Sequence, residues 1–469
     1  IPNHEPRGCQ RGISFSWYLY SPLRGKYPYM RGALIDLWKE ARQRFPDPVD
    51  AWQSIVENPE SRKAYTGKRG MGGFRRASWD DVVELIAAST IYTAKKYGPD
   101  RVIGFTPIPA MSMISYAAGT RFLQLFGGVC MSFYDWYSDL PPASPQVWGE
   151  QTDVNESADW YNASYIVLCG SNVPMTRTPD AHFLTEARYR GAKVVVMSPD
   201  YSQATKFADN WLPVTQGHDG AFWMAVNHVI LKEYYVDRQV PFFEEYARKY
   251  TDLPFLVKLG EKDGVLLPGE FLRADELERS AGLEHADWTL CVADGKGEVK
   301  IPHGSLGSRW SKAEGKWNLD MKDMVDGSGI DCRLTFLGGE TGRVRFRFEA
   351  DGDVVREVPV RRVKTRNGEV TVTTVFDLLM AQFGVSRGLG GDYPQNYDEE
   401  KPFTPKWQEK YTGIAAGSML KIAREWAENG EKSGGRNMII VGAGINHWFH
   451  NDLIYRAAIT SLILTGSVG

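Results

Sequence analysis

Short apolar runs separated by one helical pattern predict an α/β protein. Residues 165–169 (YIVLC) and 193–197 (KVVVM) are almost wholly apolar, and residues 180–189 between them have helical periodicity. Such runs are typical of parallel strands that are buried on both faces of a sheet. A similar run at 438–441 is followed by another helical pattern. We therefore expect parallel, doubly wound sheets.

Two other regions of the chain have a different pattern of apolar and polar positions. The sequence Ser-Trp-Asp-Asp at 78–81 has the form of a capping box and predicts a helix over 82–97. Between about 251 and 365 the chain carries short, charged, glycine-dotted strands, for example 298–301 and 343–346. We interpret this region as a hairpin-rich insertion in the α/β fold.

Composition limits the possible functions. The chain has 469 residues, 43% of them hydrophobic and 24% charged, which is typical of a globular protein with several domains. The net charge is -3 and no basic block occurs, so nucleic-acid binding has no support. The apolar run at 457–464 is too short to span a bilayer and predicts a buried helix.

Two further features concern the ends of the chain and its cysteines. Five dispersed cysteines without a CxxC pair argue against a disulfide framework. The chain starts at Ile1 without Met and stops at Gly469 directly after an apolar helical pattern. We interpret it as an internal piece of a longer protein.

Glycine-containing or acidic turns follow the predicted strands. Parallel sheets bind ligands at the carboxyl ends of their strands, glycine lets a phosphate approach the backbone, and a carboxylate can accept hydrogen bonds from ribose or guanine. Each turn alone could equally be a simple turn or a helix cap, but their recurrence favours nucleotide binding. No GxGxxG or Walker A sequence occurs. The candidate residues are Gly170, Ser171, Asn172, Ser198, Asp200, Gln216, Gly217, Asp219, Gly442 and Gly444.

A loop at 133–145 is the strongest candidate for metal chemistry. Its sequence, FYDWYSDLPPASP, combines aromatic rings, two carboxylates and rigid prolines without helical or strand periodicity. Acidic and aromatic groups on an ordered loop are typical of ligand sites, although an aromatic-rich turn is the simpler interpretation.

This loop resembles the molybdenum-ligand loop of membrane-bound respiratory nitrate reductase catalytic subunits, in the dimethyl sulfoxide reductase superfamily. The resemblance covers nearly the whole chain. That branch also contains nitrite oxidoreductases and the perchlorate, chlorate and selenate reductases. The other matching segments are residues 3–9, 16–20, 97–102, 156–162, 176–182 and 444–448.

The resemblance implies roles for several residues around a molybdenum atom. Asp139 matches the metal ligand, which the family places directly before Leu-Pro, and Asp135 is its nearby competitor. A carboxylate suits an oxidised, hard metal centre. Tyr134, Tyr137 and Trp448 would line a substrate funnel, with Asn446 and His447 at its inner end, although His447 could instead be a core histidine.

The resemblance also implies two kinds of cofactor. The strand-end turns match contacts to two molybdopterin guanine dinucleotides, which together hold the molybdenum. Cys9 matches the last ligand of a [4Fe–4S] cluster whose other ligands precede this chain, and Arg11 matches a cation between cluster and pterin. The other cysteines lack such a setting, and we interpret Cys130, Cys169, Cys291 and Cys332 as structural.

The implied activity is that of a quinone-linked molybdenum oxidoreductase of anaerobic respiration, with oxygen-atom transfer from nitrate giving nitrite. The implied partners are an iron–sulfur beta subunit and a membrane haem b gamma subunit. The implied location is peripheral on the membrane, on its cytoplasmic side or on its outer, periplasmic side. The alternatives are nitrite oxidation, reduction of another oxyanion, and a metal-free structural subunit.

The resemblance also implies a division into domains. Residues 1–76 would belong to a partial iron–sulfur domain. Residues 77–152 and 400–469 would form a first, partial molybdopterin-binding domain. Residues 153–399 would form a second one that contains the insertion at about 251–365.

Overall fold

The structure is a computed structural model. It describes residues 8–105, 113–131, 141, 143–149, 155–302, 321–348 and 351–468. The chain divides into two compact units, an N-terminal unit of Gly8–Asp139 and a C-terminal unit that begins at Leu140.

The N-terminal unit is mainly helical and has two small sheets. Strands β1 (Tyr29–Arg31) and β2 (Phe74–Arg76) pair antiparallel, whereas β3 (Ile103–Phe105) and β4 (Val129–Met131) pair parallel. Its core gathers around the buried Trp38. Its α-helices are Gln10–Ile13, Ser16–Tyr20, Gly32–Arg44, Pro48–Val56, Pro59–Thr66, Trp79–Tyr97 and Met113–Phe126.

Local sequence explains where several of these helices begin. Ser78 caps the helix Trp79–Tyr97 by accepting a hydrogen bond from the Asp81 amide at 3.1 Å, as its sequence predicts. Asp47 and Asn58 cap the helices that begin at Pro48 and Pro59. Proline at the first helical position lacks only an amide that would be unpaired there in any case.

The C-terminal unit contains the remaining described strands and helices. Its strands are β5 (Tyr165–Cys169), β6 (Lys193–Met197), β7 (Asn210–Leu212), β8 (Leu256–Lys262), β9 (Val265–Phe271), β10 (Val292–Ala293), β11 (Val299–Lys300), β12 (Thr341–Phe348), β13 (Gly352–Pro359), β14 (Arg361–Thr365), β15 (Gly368–Thr374) and β16 (Asn437–Val441). Its α-helices are Ala143–Trp148, Val173–Thr176, Ala181–Tyr189, Asp219–Ile230, Pro241–Tyr250, Val375–Gln382, Pro405–Thr412, Ala416–Ser433, Ala443–Asn446 and Asn451–Leu464, and a π-helical stretch spans Leu231–Asp237.

A four-stranded parallel sheet lies at the centre of this unit, in the order β16-β5-β6-β7. Side chains of β5 and β6 alternate between two apolar cores, with Val167 and Val195 on one face and Ile166 and Val194 on the other. Because both faces are covered, these two strands are almost wholly apolar, and their one charged residue is Lys193 at the start of β6. The predicted doubly wound parallel sheet is therefore confirmed.

The position of β16 differs from the predicted grouping of residues 400–469 with residues 77–152. Residues 437–441 pair with β5, in the sheet that residues 165–212 build. Periodicity identifies a strand, but it does not show which distant strand will accept its hydrogen bonds.

The insertion forms a second, six-stranded sheet in the order β13-β12-β9-β8-β15-β14. Its neighbours are antiparallel except for β9 and β12. The hairpin-rich insertion is thus present, and its last strand runs to Thr374, beyond the predicted limit near residue 365.

The C-terminal helix Asn451–Leu464 packs against the helix Asp219–Ile230 in the larger core. Asn227 on the second helix donates a buried hydrogen bond to the Ala457 carbonyl at 2.8 Å. In the described parts of the chain, no helix has the length and apolar character needed to cross a membrane.

Candidate functional site

The order of the parallel strands creates one edge where four turns meet. The chain adds β6 and then β7 on one side of β5, whereas β16 lies on the other side. The connections therefore diverge between β5 and β16. A crevice outside the carboxyl ends of the strands at such a switch point is where α/β sheets bind ligands.

At the switch point the two turns approach each other closely. Gly170 has a φ of +56°, a conformation that favours glycine. A Cβ atom at Gly442 would lie 2.1 Å from the Gly170 carbonyl oxygen, and one at Gly170 would lie 3.1 Å from Ile445 Cγ1. The backbone at this edge therefore leaves no room for a side chain at Gly442.

Side chains join the turns that follow β5 and β6. Asn172 donates from Nδ2 to Gln203 Oε1 at 2.6 Å, and its Oδ1 accepts from the Ala204 amide at 3.1 Å. Ser198 donates to the Asp200 carbonyl at 2.8 Å. The structure thus holds two of the predicted turns together at the same edge, while the Asp200 side chain remains exposed.

The turn after β7 brings a buried carboxyl to the same edge. Asp219 begins the helix Asp219–Ile230 and is only 4% exposed, and burial raises its pKa to about 6. Burial, and then the nearby Asp219 carboxylate, raise the pKa of the Cys169 thiol at the end of β5. The Asp219 carboxyl therefore lies beside the end of β5. Gln216, in the same turn, is exposed.

The turn after β16 contributes residues of different exposure. Asn446 is buried, His447 is exposed and Trp448 is 38% exposed. The Trp448 ring lies against Gly217, with Cδ2 3.6 Å from where a Cβ of residue 217 would be. This contact joins the turns after β16 and β7. The exposure of His447 differs from that of a core histidine, and its place in the funnel stays a prediction.

Two residues absent from the sequence prediction hold Asn446. The Tyr455 hydroxyl donates to Asn446 Oδ1, and Asn451 Nδ2 donates to the Asn446 backbone carbonyl. Both partners lie on the helix Asn451–Leu464. No local pattern signals these contacts, because Tyr455 also fits the apolar face of an ordinary helix.

The residues at this edge fit a phosphate-bearing nucleotide cofactor. Ser171 Oγ is buried without a hydrogen-bond partner among the described residues, and ligand oxygens are natural partners for such a group. Gly170 and Gly442 bring the two turns into contact, and Gly444 is exposed beside them, where a phosphate can approach the backbone. The Asp219 carboxyl adds an acceptor for ribose or guanine donors.

The candidate iron–sulfur ligand lies in the N-terminal unit. Cys9 is partly exposed and precedes the short helix Gln10–Ile13. Backbone hydrogen bonds from Gly12 and Arg11 lower the pKa of its thiol, which favours the thiolate needed for iron ligation. Within the described ranges, no three His, Cys, Asp or Glu side chains converge as a metal site.

The remaining cysteines are of two kinds. Cys169, Cys291 and Cys332 are buried, and burial raises the pKa of the Cys291 and Cys332 thiols to about 12. Inert, buried thiols are consistent with a structural role. Cys130 is exposed, with Sγ 3.8 Å from Thr120 Oγ1.

The predicted molybdenum ligand and two funnel residues fall outside the described residues. Asp139 and its competitor Asp135 belong to this group, as do Tyr134 and Tyr137. Their roles stay predictions from sequence resemblance.

Comparison with known proteins identifies the family. The chain is 55% identical over 475 residues to the nitrate reductase alpha chain of Bacillus subtilis, 51% over 478 residues to the nitrate reductase alpha subunit of Mycobacterium tuberculosis, and 50% over 486 residues to the respiratory nitrate reductase 1 alpha chain of Escherichia coli. Each match covers all of this chain but only 38% or 39% of the relative. A family model described as molybdopterin oxidoreductase matches residues 24–469, and the family and these relatives support a molybdenum–molybdopterin cofactor. Since that model covers nearly the whole chain, the chain belongs to the molybdopterin oxidoreductase family.

Proposed function

We propose that this chain is part of the catalytic subunit of a respiratory nitrate reductase, which removes one oxygen atom from nitrate and releases nitrite. The observation that carries the proposal is the identity of 50% to 55%, along the whole chain, with proteins named nitrate reductase alpha chain or subunit. The relatives are much longer, so the activity is proposed for the full protein.

The cofactor is proposed to be molybdenum held by two molybdopterin guanine dinucleotides. The turn residues after β5, β6, β7 and β16 would bind the dinucleotides, because their glycines let a phosphate approach the backbone and the Asp219 carboxyl suits guanine or ribose donors. Asp139 would be the protein ligand of the metal. When bound, this group supplies the two-electron redox chemistry and takes the oxygen atom.

The protein residues of the site would orient the anion and restrict water. Asn446 would hydrogen-bond the substrate, while Tyr137 and His447 would line the cavity nearby. Trp448, held against Gly217, would narrow the entrance together with Tyr134. A small, planar oxyanion passes an aromatic constriction more easily than a larger one, so these rings would contribute to substrate choice.

Electrons would reach the site through an iron–sulfur cluster and partner subunits. Cys9 would supply one thiolate of a [4Fe–4S] cluster, supported by its lowered pKa, and Arg11 would lie between cluster and pterin. An iron–sulfur beta subunit and a haem b gamma subunit would connect this subunit to quinone. The catalytic subunit would then be peripheral on the membrane, on the cytoplasmic side unless the full protein is exported.

The test is to purify the full-length protein with its partners and measure metal, nucleotide and turnover. We expect molybdenum, about two guanosine monophosphates per molybdenum on acid hydrolysis, and nitrate reduction by a reduced viologen dye. Asp139→Ala should abolish turnover and alter the molybdenum spectrum, whereas the matched variant Asp135→Ala should keep both. Absence of molybdenum, or faster nitrite oxidation than nitrate reduction, would contradict the proposal.

A further inference from the structure

The turn between β7 and the helix Asp219–Ile230 is held by the end of a helix that lies far away in the sequence. The Thr412 carbonyl oxygen, in the last turn of the helix Pro405–Thr412, accepts two hydrogen bonds from Thr215. One comes from the Thr215 amide at 2.9 Å and the other from its hydroxyl at 3.1 Å. Carbonyls in the last turn of a helix have no partner within the helix. Thr215 therefore supplies that partner, and the turn is tied to a residue 197 positions away.

Buried polar contacts fix the position of this carbonyl. Gln408 and Thr412 are fully buried, and the Thr412 hydroxyl donates to Gln408 Oε1 at 2.6 Å while it accepts from the Ile414 amide at 3.0 Å. Gln408 Nε2 in turn donates to the Ile414 carbonyl at 2.7 Å. Gly413 has a φ of +73°, the left-handed conformation that ends many helices. The Thr412 carbonyl thus belongs to a closed network and cannot move without breaking several hydrogen bonds.

A contact between two rings holds the other end of the same turn. The His218 imidazole lies over the Tyr411 ring, with 6.2 Å between the centroids and 18° between the planes, and the Tyr411 ring packs on Trp407 at 4.9 Å. The turn is closed by the hydrogen bond from the His218 amide to the Thr215 carbonyl at 3.1 Å, with Gly217 at a φ of +77°. The first and last residues of the turn therefore both contact the same helix end.

This turn carries two groups of the candidate site. Its Gly217 is the surface against which the Trp448 ring rests, with Cδ2 3.6 Å from where a Cβ would be. Asp219 follows directly after the turn, and its buried carboxyl begins the next helix. A displacement of the turn would move both groups, because both depend on the same short segment of backbone.

We infer that Thr215 is a positioning residue that holds the Asp219 carboxyl in place for the guanine dinucleotide, through its two bonds to Thr412. This inference rests on the proposed function, because it requires a dinucleotide at this edge. The amide bond ties the backbone to the helix end, and the hydroxyl bond adds a second point that restrains rotation about the first. A group that binds a ligand keeps its geometry only when its supporting contacts are fixed. Loss of the hydroxyl therefore weakens the hold on the nucleotide while the fold remains.

The central experiment is Thr215→Val in the full-length, cofactor-loaded enzyme with its partners. We expect guanine nucleotide to be lost about fivefold faster than from the parent at one temperature below both unfolding transitions, because one hydrogen bond of ordinary strength is removed. Thr215→Ser keeps the hydroxyl and should lose nucleotide at the parental rate. Equal loss from Thr215→Val and the parent, or equal acceleration in both variants, would overturn the inference.

Thr373→Val is the matched control. It removes another threonine hydroxyl that donates to a backbone carbonyl, that of Pro359 at 2.7 Å, but in the six-stranded sheet. Because Thr373 is fully buried, we expect this variant to lower the unfolding temperature at least as much as Thr215→Val and to lose nucleotide at the parental rate. Nucleotide loss that follows the unfolding temperature in both variants would show a general effect of stability and would overturn the role of Thr215.

Hydrogen exchange in the full-length protein produced without cofactor tests the turn in the absence of any ligand. The amides of His218 and Ala221 donate to the Thr215 and His218 carbonyls. In Thr215→Val these two amides should exchange about fivefold faster than in the parent, whereas the amides of β5 should be unchanged. Parental exchange at both amides would overturn the inference.

Measurements on the parent enzyme separate this inference from the proposed function. If the parent contains molybdenum and guanine nucleotide but does not reduce nitrate, the proposed reaction fails, and the comparison of nucleotide loss still decides the role of Thr215. A parent that contains no guanine nucleotide would overturn both proposals.

Discussion

Replacing Gly442 by alanine tests whether the close approach of two turns builds the cofactor edge. The backbone of Gly442 (φ -97°, ψ 163°) is allowed for alanine, so conformational strain does not enter. The added Cβ would instead meet the Gly170 carbonyl oxygen at 2.1 Å and the Ser171 Cα at 2.7 Å. Both obstacles are backbone atoms, which cannot rotate away as a side chain can.

The size of the effect follows from that geometry. Moving the Cβ from 2.1 Å to the 3.0 Å that real Cβ atoms keep requires a shift of about 0.9 Å between neighbouring backbones. Such a shift strains the hydrogen bond from the Gly442 amide to the Cys169 carbonyl, now 2.9 Å. Overpacking costs about 1–3 kcal/mol, and a lost hydrogen bond about 1 kcal/mol more. We therefore expect Gly442→Ala to lower the local free energy of unfolding at this edge by about 2–4 kcal/mol.

Hydrogen exchange and cofactor content measure this effect in the full-length protein. A local loss of about 2 kcal/mol should speed amide exchange in β5 and β16 about thirtyfold, and displaced turns should retain less molybdenum and guanine nucleotide. Gly444→Ala is the matched control for the exchange measurement, since its Cβ would lie 3.4 Å from the same oxygen, an ordinary contact. If Gly442→Ala exchanges and retains cofactor like the parent, the close approach does not shape the site.

Three further substitutions test two buried titratable groups and one aromatic ring of the C-terminal unit. In protein produced without cofactor, Asp219→Asn should be more stable than the parent above pH 6 by up to about 3 kcal/mol. The pKa of Asp219 in the folded protein, about 6, lies above the usual 3.8, so the parent loses stability as pH rises from 3.8 to 6. In a pH series of unfolding temperatures, the higher stability of Asp219→Asn should therefore vanish near pH 4. When cofactor is supplied, the same variant should retain less guanine nucleotide. Burial lowers the pKa of His228 from 6.5 to about 4, so the free energy of unfolding of the parent should fall by about 3 kcal/mol as pH falls from 6.5 to 4. The free energy of unfolding of His228→Gln should depend less on pH over that range. Equal pH dependence in the two proteins would refute a buried neutral histidine. Trp448→Ala should change the ratio of chlorate to nitrate turnover more than it changes the unfolding temperature, and an unchanged ratio would remove Trp448 from the entrance.

The candidate site could be predicted from sequence in part. Glycines and carboxylates directly after apolar runs indicate strand-end turns, and the structure places those of residues 170–172, 198–200, 216–219 and 442–444 at one edge of one sheet. Their roles toward a cofactor came from family resemblance, because a glycine turn alone does not specify its ligand. The contacts of Asn446 with Tyr455 and of Trp448 with Gly217 had no signal in the sequence.

The sequence by itself determined the elements whose causes are local. Strands β5 and β6 have their predicted bounds, because each is a short apolar run with a helical pattern between them, and Ser78 begins its helix through a side chain three residues from its partner. Only the tertiary structure decided that β16 pairs with β5. Many pairings of apolar strands satisfy the same periodicity, and the choice between strands about 270 residues apart depends on how their helices pack on both faces of the sheet. That choice creates the switch point, and with it the meeting of Gly170 and Gly442.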